Sequence, residues 1–381
     1  MKRRKIDTLC VHEGQLKDIE HRGSVSPLYM ATAYAFDDVQ TKRYPRYFNT
    51  PNQVGLAKKI AALEGAEQGL IFGSGMAAVS TALLSHLRSG DHVVLQADLY
   101  GGTTNLVIEE FDKFGIEYSF SKDILASDFE ILIKPNTKVV YIETPSNPLM
   151  KIVDLEAVAI MAKKRGLITM IDNTFASPVN QNPIEFGIDI VIHSATKYLG
   201  GHSDILAGTV LGSAKEIEVV FQMAKNLGGS LSDYTVWLLE RSIKTLSIRV
   251  QAQNKNALSL AMFLYDKSCI DTVFYPGLES HPNHELAKEQ MHGFGGMISF
   301  ELNSSYDLNL FQKNLNLIRP AMSLAGVETS LTIPSKTSHA LLTQEDRKAQ
   351  GIKDNLIRLS TGIEDLDDLK DDINQALKKS K

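Results

Sequence analysis

The sequence predicts an α/β protein: a sheet covered by helices on both faces, then a smaller α+β unit. Three observations carry this. Short apolar runs alternate with stretches of helical period over the first two thirds of the chain. The runs are continuous rather than alternating, as in strands buried on both faces of a largely parallel sheet. Near residue 230 the rhythm changes to long helices and one alternating strand. A βαβα order puts helices on both sides of the sheet. Ligands of such sheets gather at the carboxyl ends of the strands.

Taken in order, residues 1–55 mix turn formers, charges and aromatics without a steady period and read as an arm. Leu56, Ile60 and Leu63 open a helical face. Gln68 to Phe72 reads as a strand, and Met76 to Leu87 as a helix with Val79, Leu83 and Leu87 aligned. Ser89-Gly90-Asp91 stops that helix before the strand His92 to Leu95. Further strands are expected at Val139–Ile142, Leu167–Ile171 and Ile188–Ile192, with a helix at Leu155–Arg165. Trp237 to Val250 and Ala257 to Leu264 read as long helices, and Met297 to Leu302 as a strand with one wet face. The expected organisation is an arm (1–55), a large three-layer α/β/α domain (56–250) and a smaller α+β domain (251–381).

Composition narrows the function. The 381 residues are 43% hydrophobic and 22% charged, enough to bury a large core, and the net charge is −5. A general nucleic-acid binder would be more basic. Cys10 and Cys269 are the two cysteines and share no metal-like spacing, so no metal site or disulfide scaffold is expected. No signal-peptide pattern and no membrane-spanning run is visible, and a cytoplasmic protein is the expectation.

Chemistry is expected in the turns after the strands. Gly73-Ser74-Gly75-Met76 lies between a strand and a helix, where N–H groups can cradle a phosphate. A tight turn capped by Ser74 is the plainer alternative. Asp172 follows the strand Leu167–Ile171; in isolation an N-cap or an Asx-turn is the readier reading. Lys197 follows the last one, between Ser194, Thr196 and the pair Gly200-Gly201. An ammonium there is costly unless it is paired or used covalently, and a Schiff base with a carbonyl cofactor would remove the cost. Jointly, a phosphate cradle, a strand-end acid and a strand-end lysine are the three handles that pyridoxal 5'-phosphate needs.

The motif Ser194-Ala195-Thr196-Lys197-Tyr198, with Gly201-His202-Ser203-Asp204 and Gly208, resembles the lysine signature of the Cys/Met-metabolism (trans-sulfuration) enzymes. So do Ser74-Gly75-Met76, Tyr100-Gly101-Gly102-Thr103, Glu143 to Pro148, Asp172 to Phe175, and Ile357 to Asp365. The resemblance covers nearly the whole chain. It implies a pyridoxal-phosphate enzyme of fold type I, aspartate aminotransferase-like, assembled as a homotetramer of catalytic dimers. It implies that Lys197 carries the cofactor and then serves as base and acid, that Asp172 pairs with the ring nitrogen, and that Tyr100 stacks on the ring. Gly75, Met76, Thr174, Ser194 and Thr196 would complete the cofactor set. Tyr44 and Arg46 would reach across the dimer to the neighbour's phosphate. Arg358, flanked by Asn147 and Ser323, would clamp the substrate carboxylate, and Glu328 would meet its side-chain end.

Departures bear on the subclass. Asn49-Thr50-Pro51-Asn52 replaces the family's usual Asn-Pro-Thr. Arg43 stands where γ-synthases carry an acid, Asn105 where they and some γ-lyases place an arginine, and Gly102 where methionine γ-lyases have a cysteine. The expected activity is elimination or replacement at the γ- or β-carbon of a sulfur amino acid, cystathionine γ-lyase/γ-synthase-like. An O-acyl-homoserine sulfhydrylase, a cystathionine β-lyase and a pyridoxal-phosphate-binding regulatory protein are the alternatives.

Overall fold

The computed structural model describes residues 4–340 and 343–381, with the side chain of residue 346 left aside. The N-terminal segment holds one short α-helix, α1 (Ile6–His12), and a single 3-10 turn at Pro45–Tyr47, and is otherwise irregular up to α2 (Pro51–Glu64). The large sheet then forms from β1 (Gln68–Phe72), β2 (His92–Gln96), β3 (Glu117–Ser121), β4 (Thr137–Glu143), β5 (Ile168–Asp172), β6 (Ile190–His193) and β7 (Gly208–Gly212). Between them lie α3 (Gly75–His86), α4 (Gly101–Phe114), α5 (Ala126–Glu130), α6 (Leu155–Arg165) and the single turn α7 (Ser177–Asn180). After the sheet come α8 (Ala214–Leu227), α9 (Asp233–Ile243) and α10 (Leu246–Tyr265).

The strand order is β1-β7-β6-β5-β4-β2-β3. The sheet is mixed: β7 runs antiparallel to both β1 and β6, and the other pairings are parallel. The carboxyl ends of β1, β2, β4, β5 and β6 therefore meet at one edge of the sheet. Continuous apolar runs such as Val139–Ile142 are fully buried because each face carries its own core. Val140, Ile142 and Ile171 face one, and Val139, Tyr141 and Met170 the other.

The smaller sheet has the order β10-β11-β12-β9-β8. It is built from β8 (Ile270–Phe274), β9 (Met297–Leu302), β10 (Arg319–Pro320), β11 (Ser330–Thr332) and β12 (Leu356–Ser360). Its core includes Ile298, Phe300, Ile357 and Leu359, packed under Leu369, Ile373 and Ala376 of the C-terminal helix Leu366–Lys378.

Two expectations change. β9 has no wet face, since all of its residues are buried. Ser299 Oγ donates to the Pro148 carbonyl at 2.6 Å, and Glu301 accepts from Lys353 Nζ at 2.7 Å, so its polar positions are spent on internal partners. The helix expected from Trp237 to Val250 is interrupted between Ile243 and Leu246, while α10 runs unbroken to Tyr265. Arg249, in α10, donates to the Ser242 carbonyl at 3.1 Å and so satisfies an end of α9 that period alone does not reveal. No helix among the described residues is long and apolar enough to cross a membrane.

Candidate active site

A cavity of about 480 Å³ opens where the strand ends of the large sheet face β12 of the smaller one. That is within the range of roughly 300–1,000 Å³ usual for small-molecule sites. Its walls include Gly75, Met76, Tyr100, Asp172, Lys197 and Arg358. Thr174, Ser194, Thr196, Asn147 and Ser323 also line it.

The cradle begins at Ser74, which N-caps α3 by accepting the Ala77 N–H at 3.0 Å. Gly75 and Met76 are the first residues of that helix, so no carbonyl one turn earlier takes their N–H groups. A Cβ on Gly75 would stand 2.8 Å from Ser194 Cβ, and one on Gly208 would stand 2.1 Å from the Ser74 carbonyl oxygen. Glycine at both places lets the turn nest between β6 and β7. The capping turn and the anion cradle are thus the same object. Ser194 donates its N–H to Thr174 Oγ1 at 2.8 Å. The Thr196 hydroxyl is exchanged with the Ala207 backbone, at 3.1 Å as donor and 3.0 Å as acceptor, so it reaches an anion only by giving up that carbonyl.

Asp172 ends β5 on the cavity wall and accepts the Thr174 N–H at Oδ1, at 3.0 Å. Burial pushes its carboxyl up; hydrogen bonds from Thr174 and the charges of His193 and Lys197 pull the other way. Lys197 Nζ donates to Ser323 Oγ at 2.6 Å. Burial, then the Arg358 charge, lowers its ammonium to about 8, with Asp172 opposing. The loop carrying Lys197 is pinned by Arg249, which donates to the Tyr198 carbonyl at 2.9 Å and lies against Gly201, a residue of positive φ.

Arg358 leaves β12 into the cavity, donating to Asn147 Oδ1 at 2.8 Å and to the Ser323 carbonyl at 3.4 Å. Its guanidinium lies 5.9 Å from the Phe175 ring centroid. Burial lowers it to about 10, so it stays cationic at neutral pH. Tyr100 precedes α4 and is 48% exposed, an open ring face at the cavity side. A Cβ on Gly102 would stand 2.5 Å from that ring, so glycine is what leaves the ring in place.

Three expected residues stand elsewhere. Glu328 is exposed and outside the cavity wall. Tyr44 and Arg46 lie in the N-terminal segment, with Arg46 donating to the Lys225 carbonyl and stacked near Tyr44 and Tyr47. The altered loop has a local cause: Thr50 caps α2 in a reciprocal capping box with Gln53, and Pro51 occupies the first helical position. Asn49 Oδ1 accepts the Tyr44 N–H at 2.8 Å, tying the Tyr44 turn to that helix start.

The structure also adds Glu143 and His339 to the wall. Glu143 Oε2 accepts the Tyr100 N–H at 2.8 Å, and burial beside Asp172 holds its carboxyl well above the usual range. Its place after the run Val139–Ile142 was the available signal, since it ends a strand as Asp172 does. His339 follows an irregular stretch, which offers no such signal.

The donor set fits pyridoxal phosphate: N–H groups at a helix start for a phosphate, a buried acid for a ring nitrogen, and a partly neutral amine for an aldehyde.

Comparison with known proteins agrees. Residues 7–378 match the family model described as Cys/Met metabolism PLP-dependent enzyme. The chain is 44% identical to a cystathionine gamma-lyase of Bacillus subtilis, over 98% of this chain and 99% of that one. It is 43% identical to a cystathionine beta-lyase of Lactococcus lactis, again over 98% and 99%. A crystal structure of cystathionine gamma-lyase from Lactobacillus plantarum complexed with L-serine superposes with a TM-score of 0.94 at 36% identity, covering 99% of each chain. With fold and sequence shared almost end to end, this chain belongs to the Cys/Met metabolism PLP-dependent enzymes, the trans-sulfuration lyases and their kin.

Proposed function

We propose that this enzyme cleaves a carbon–sulfur bond of cystathionine, acting first as a γ-lyase. The observation that carries the reading is the meeting at Ser323. Its hydroxyl takes the Lys197 ammonium and its carbonyl takes Arg358, so the proton-transferring amine and the carboxylate clamp share one anchor. An amino acid held by Arg358 thereby presents its Cα to Lys197 Nζ.

Pyridoxal phosphate, when bound, supplies an electron sink joined to the substrate's Cα. The chain's own residues do the rest. Gly75, Met76 and Ser194 hold the phosphate end. Asp172 orients the ring and keeps a proton at its nitrogen. Lys197 Nζ, poised near pH 8, takes the Cα proton and returns it further along the side chain. Arg358, steadied by Asn147, fixes the α-carboxylate as a planar fork. Tyr100 flanks the reacting amine. Asn105, Ser338 and Gln350 add neutral polar groups to the cavity wall. We further propose that Tyr44 and Arg46 complete a neighbour's phosphate site within a homotetramer, and that the enzyme works in the cytoplasm.

A substrate panel tests this. γ-Cleavage of cystathionine yields cysteine, 2-oxobutanoate and ammonia, whereas β-cleavage yields homocysteine, pyruvate and ammonia. Dominant cysteine and 2-oxobutanoate support the proposal. Dominant homocysteine and pyruvate assign a β-lyase. Thioether formation from O-acetyl- or O-succinyl-homoserine and an added thiol, with release of acetate or succinate and without cystathionine cleavage, overturns the lyase reading.

A further inference from the structure

Behind the sheet lies a polar cluster to which the reaction above gives no task. Glu64, the last residue of α2, is 0% exposed, and His193, the last of β6, is 1% exposed. His193 Nε2 lies 2.5 Å from Glu64 Oε1. Asn173 Nδ2 donates to the same oxygen at 2.9 Å, and Asn182 Nδ2 reaches Oε2 at 3.3 Å. Glu64 is misplaced by every local rule. Burial penalises a carboxylate, and the C-terminal end of a helix carries partial negative charge. Its chain neighbours Ile60 and Leu63 sit in the apolar core. A residue that breaks local preference on all counts, with its partners in place, marks a functional constraint.

The geometry shows what the cluster faces. β5 and β6 end side by side, with Asp172 in register with Ile192. His193 is the next residue, so the pleat sends its side chain to the opposite face from Asp172. Asn173 follows Asp172 and donates its N–H to the Ile192 carbonyl at 2.9 Å. On its other side Asp172 stands in register with Glu143 of β4, a second buried carboxylate. Neighbouring carboxylates disfavour each other's ionised form. The charges that favour an anionic Asp172 come from His193 and Lys197. Lys197 is committed to the cofactor and the substrate, which leaves the hydrogen-bonded His193–Glu64 pair as the standing neighbour behind Asp172.

We infer that Glu64 and His193 are positioning residues for Asp172. Glu64 fixes a protonated imidazole behind the strand-end carboxylate and so keeps it anionic where it meets the cofactor's ring nitrogen. The inference rests on the reading of Asp172 as that nitrogen's partner. It extends the site through the sheet to the end of α2.

The test is a double-mutant cycle on cofactor-free protein titrated with pyridoxal phosphate: native, Glu64→Gln, Asp172→Asn and the double variant. Binding is followed by fluorescence, the bound cofactor by its visible absorption band, and folding by thermal unfolding of the cofactor-free chains. Glu64→Gln should weaken binding by roughly tenfold, the effect of about one pK unit at Asp172, and should shift the band. In the Asp172→Asn background the same change should do neither. Equal effects in both backgrounds overturn the inference, because Glu64 then serves only the fold. An Asp172→Asn protein that binds as tightly as the native one overturns the ring-nitrogen reading, and the inference with it. His193→Gln runs the same cycle if Glu64→Gln does not fold. A measurement without variants stands beside it: imidazole nitrogen shifts in the holoenzyme should show His193 doubly protonated at neutral pH, and a neutral ring overturns the inference.

Discussion

Lys197 offers the sharpest quantitative test, because its environment fixes both a value and the sign of two perturbations. Burial and the Arg358 charge lower its ammonium from 10.5 to about 8, and Asp172 works against them. A drop of that size raises the free-amine fraction at neutral pH by about 300-fold. The assay is the pH dependence of labelling at Lys197 by an amine-reactive reagent in cofactor-free protein, read by peptide mass spectrometry. Half-maximal labelling is expected near pH 8. Arg358→Gln removes a repelling cation and should raise the midpoint; Asp172→Asn removes an attracting anion and should lower it. The linkage has a matching sign. Between about 8 and 10.5 the unfolded chain holds a proton that the folded chain lacks, so folding is penalised below about 8 and recovers as pH rises through that window. The stability advantage of cofactor-free Lys197→Met over the native chain should therefore shrink across it. A midpoint near 10.5, or one indifferent to both substitutions, would refute the reasoning.

Three further outcomes are expected. Gly208→Ala places a Cβ 2.1 Å from the Ser74 carbonyl, and should cost about 1–3 kcal/mol in stability. It should also loosen the cofactor, checked by thermal unfolding and dialysis; a native-like protein would mean the turn is not held there. Mixing inactive Lys197→Ala chains with inactive Arg46→Ala chains should restore activity, since one hybrid site carries neither lesion. No recovery despite proven subunit exchange would confine Arg46 to its own chain. Glu328→Ala should leave the ratio of kcat/KM for cystathionine and O-acetylhomoserine unchanged, because Glu328 stands outside the cavity wall, whereas Asn105→Arg should move it; the reverse pattern would return Glu328 to the substrate.

Much of this protein was legible in residue order. Buried strands announce themselves as apolar runs, so Val139–Ile142 and the other strands of the sheet core were readable. Their carboxyl ends followed from the βαβ rule, and with them Asp172, Lys197 and the Ser74 turn. β7 was not read from its short, glycine-bounded run Gly208–Gly212, and its antiparallel place between β1 and β6 is a matter of pairing. The break before Leu246 was hidden because Arg249 supplies the missing cap from the following helix.

The sequence by itself determined the local elements, the three turns that meet at one edge of the sheet, and the family to which those turns point. Period, capping and turn chemistry act between near neighbours in the chain, so they are written in residue order. Only the tertiary structure decided that Ser323 anchors both Lys197 and Arg358, that Glu143 stands beside Asp172, and that Glu64 lies behind it. It also decided that Glu328 stays outside. These are contacts between distant segments, set by how two sheets and the end of a helix pack. Their charges take effect only where packing has removed the water that would otherwise screen them.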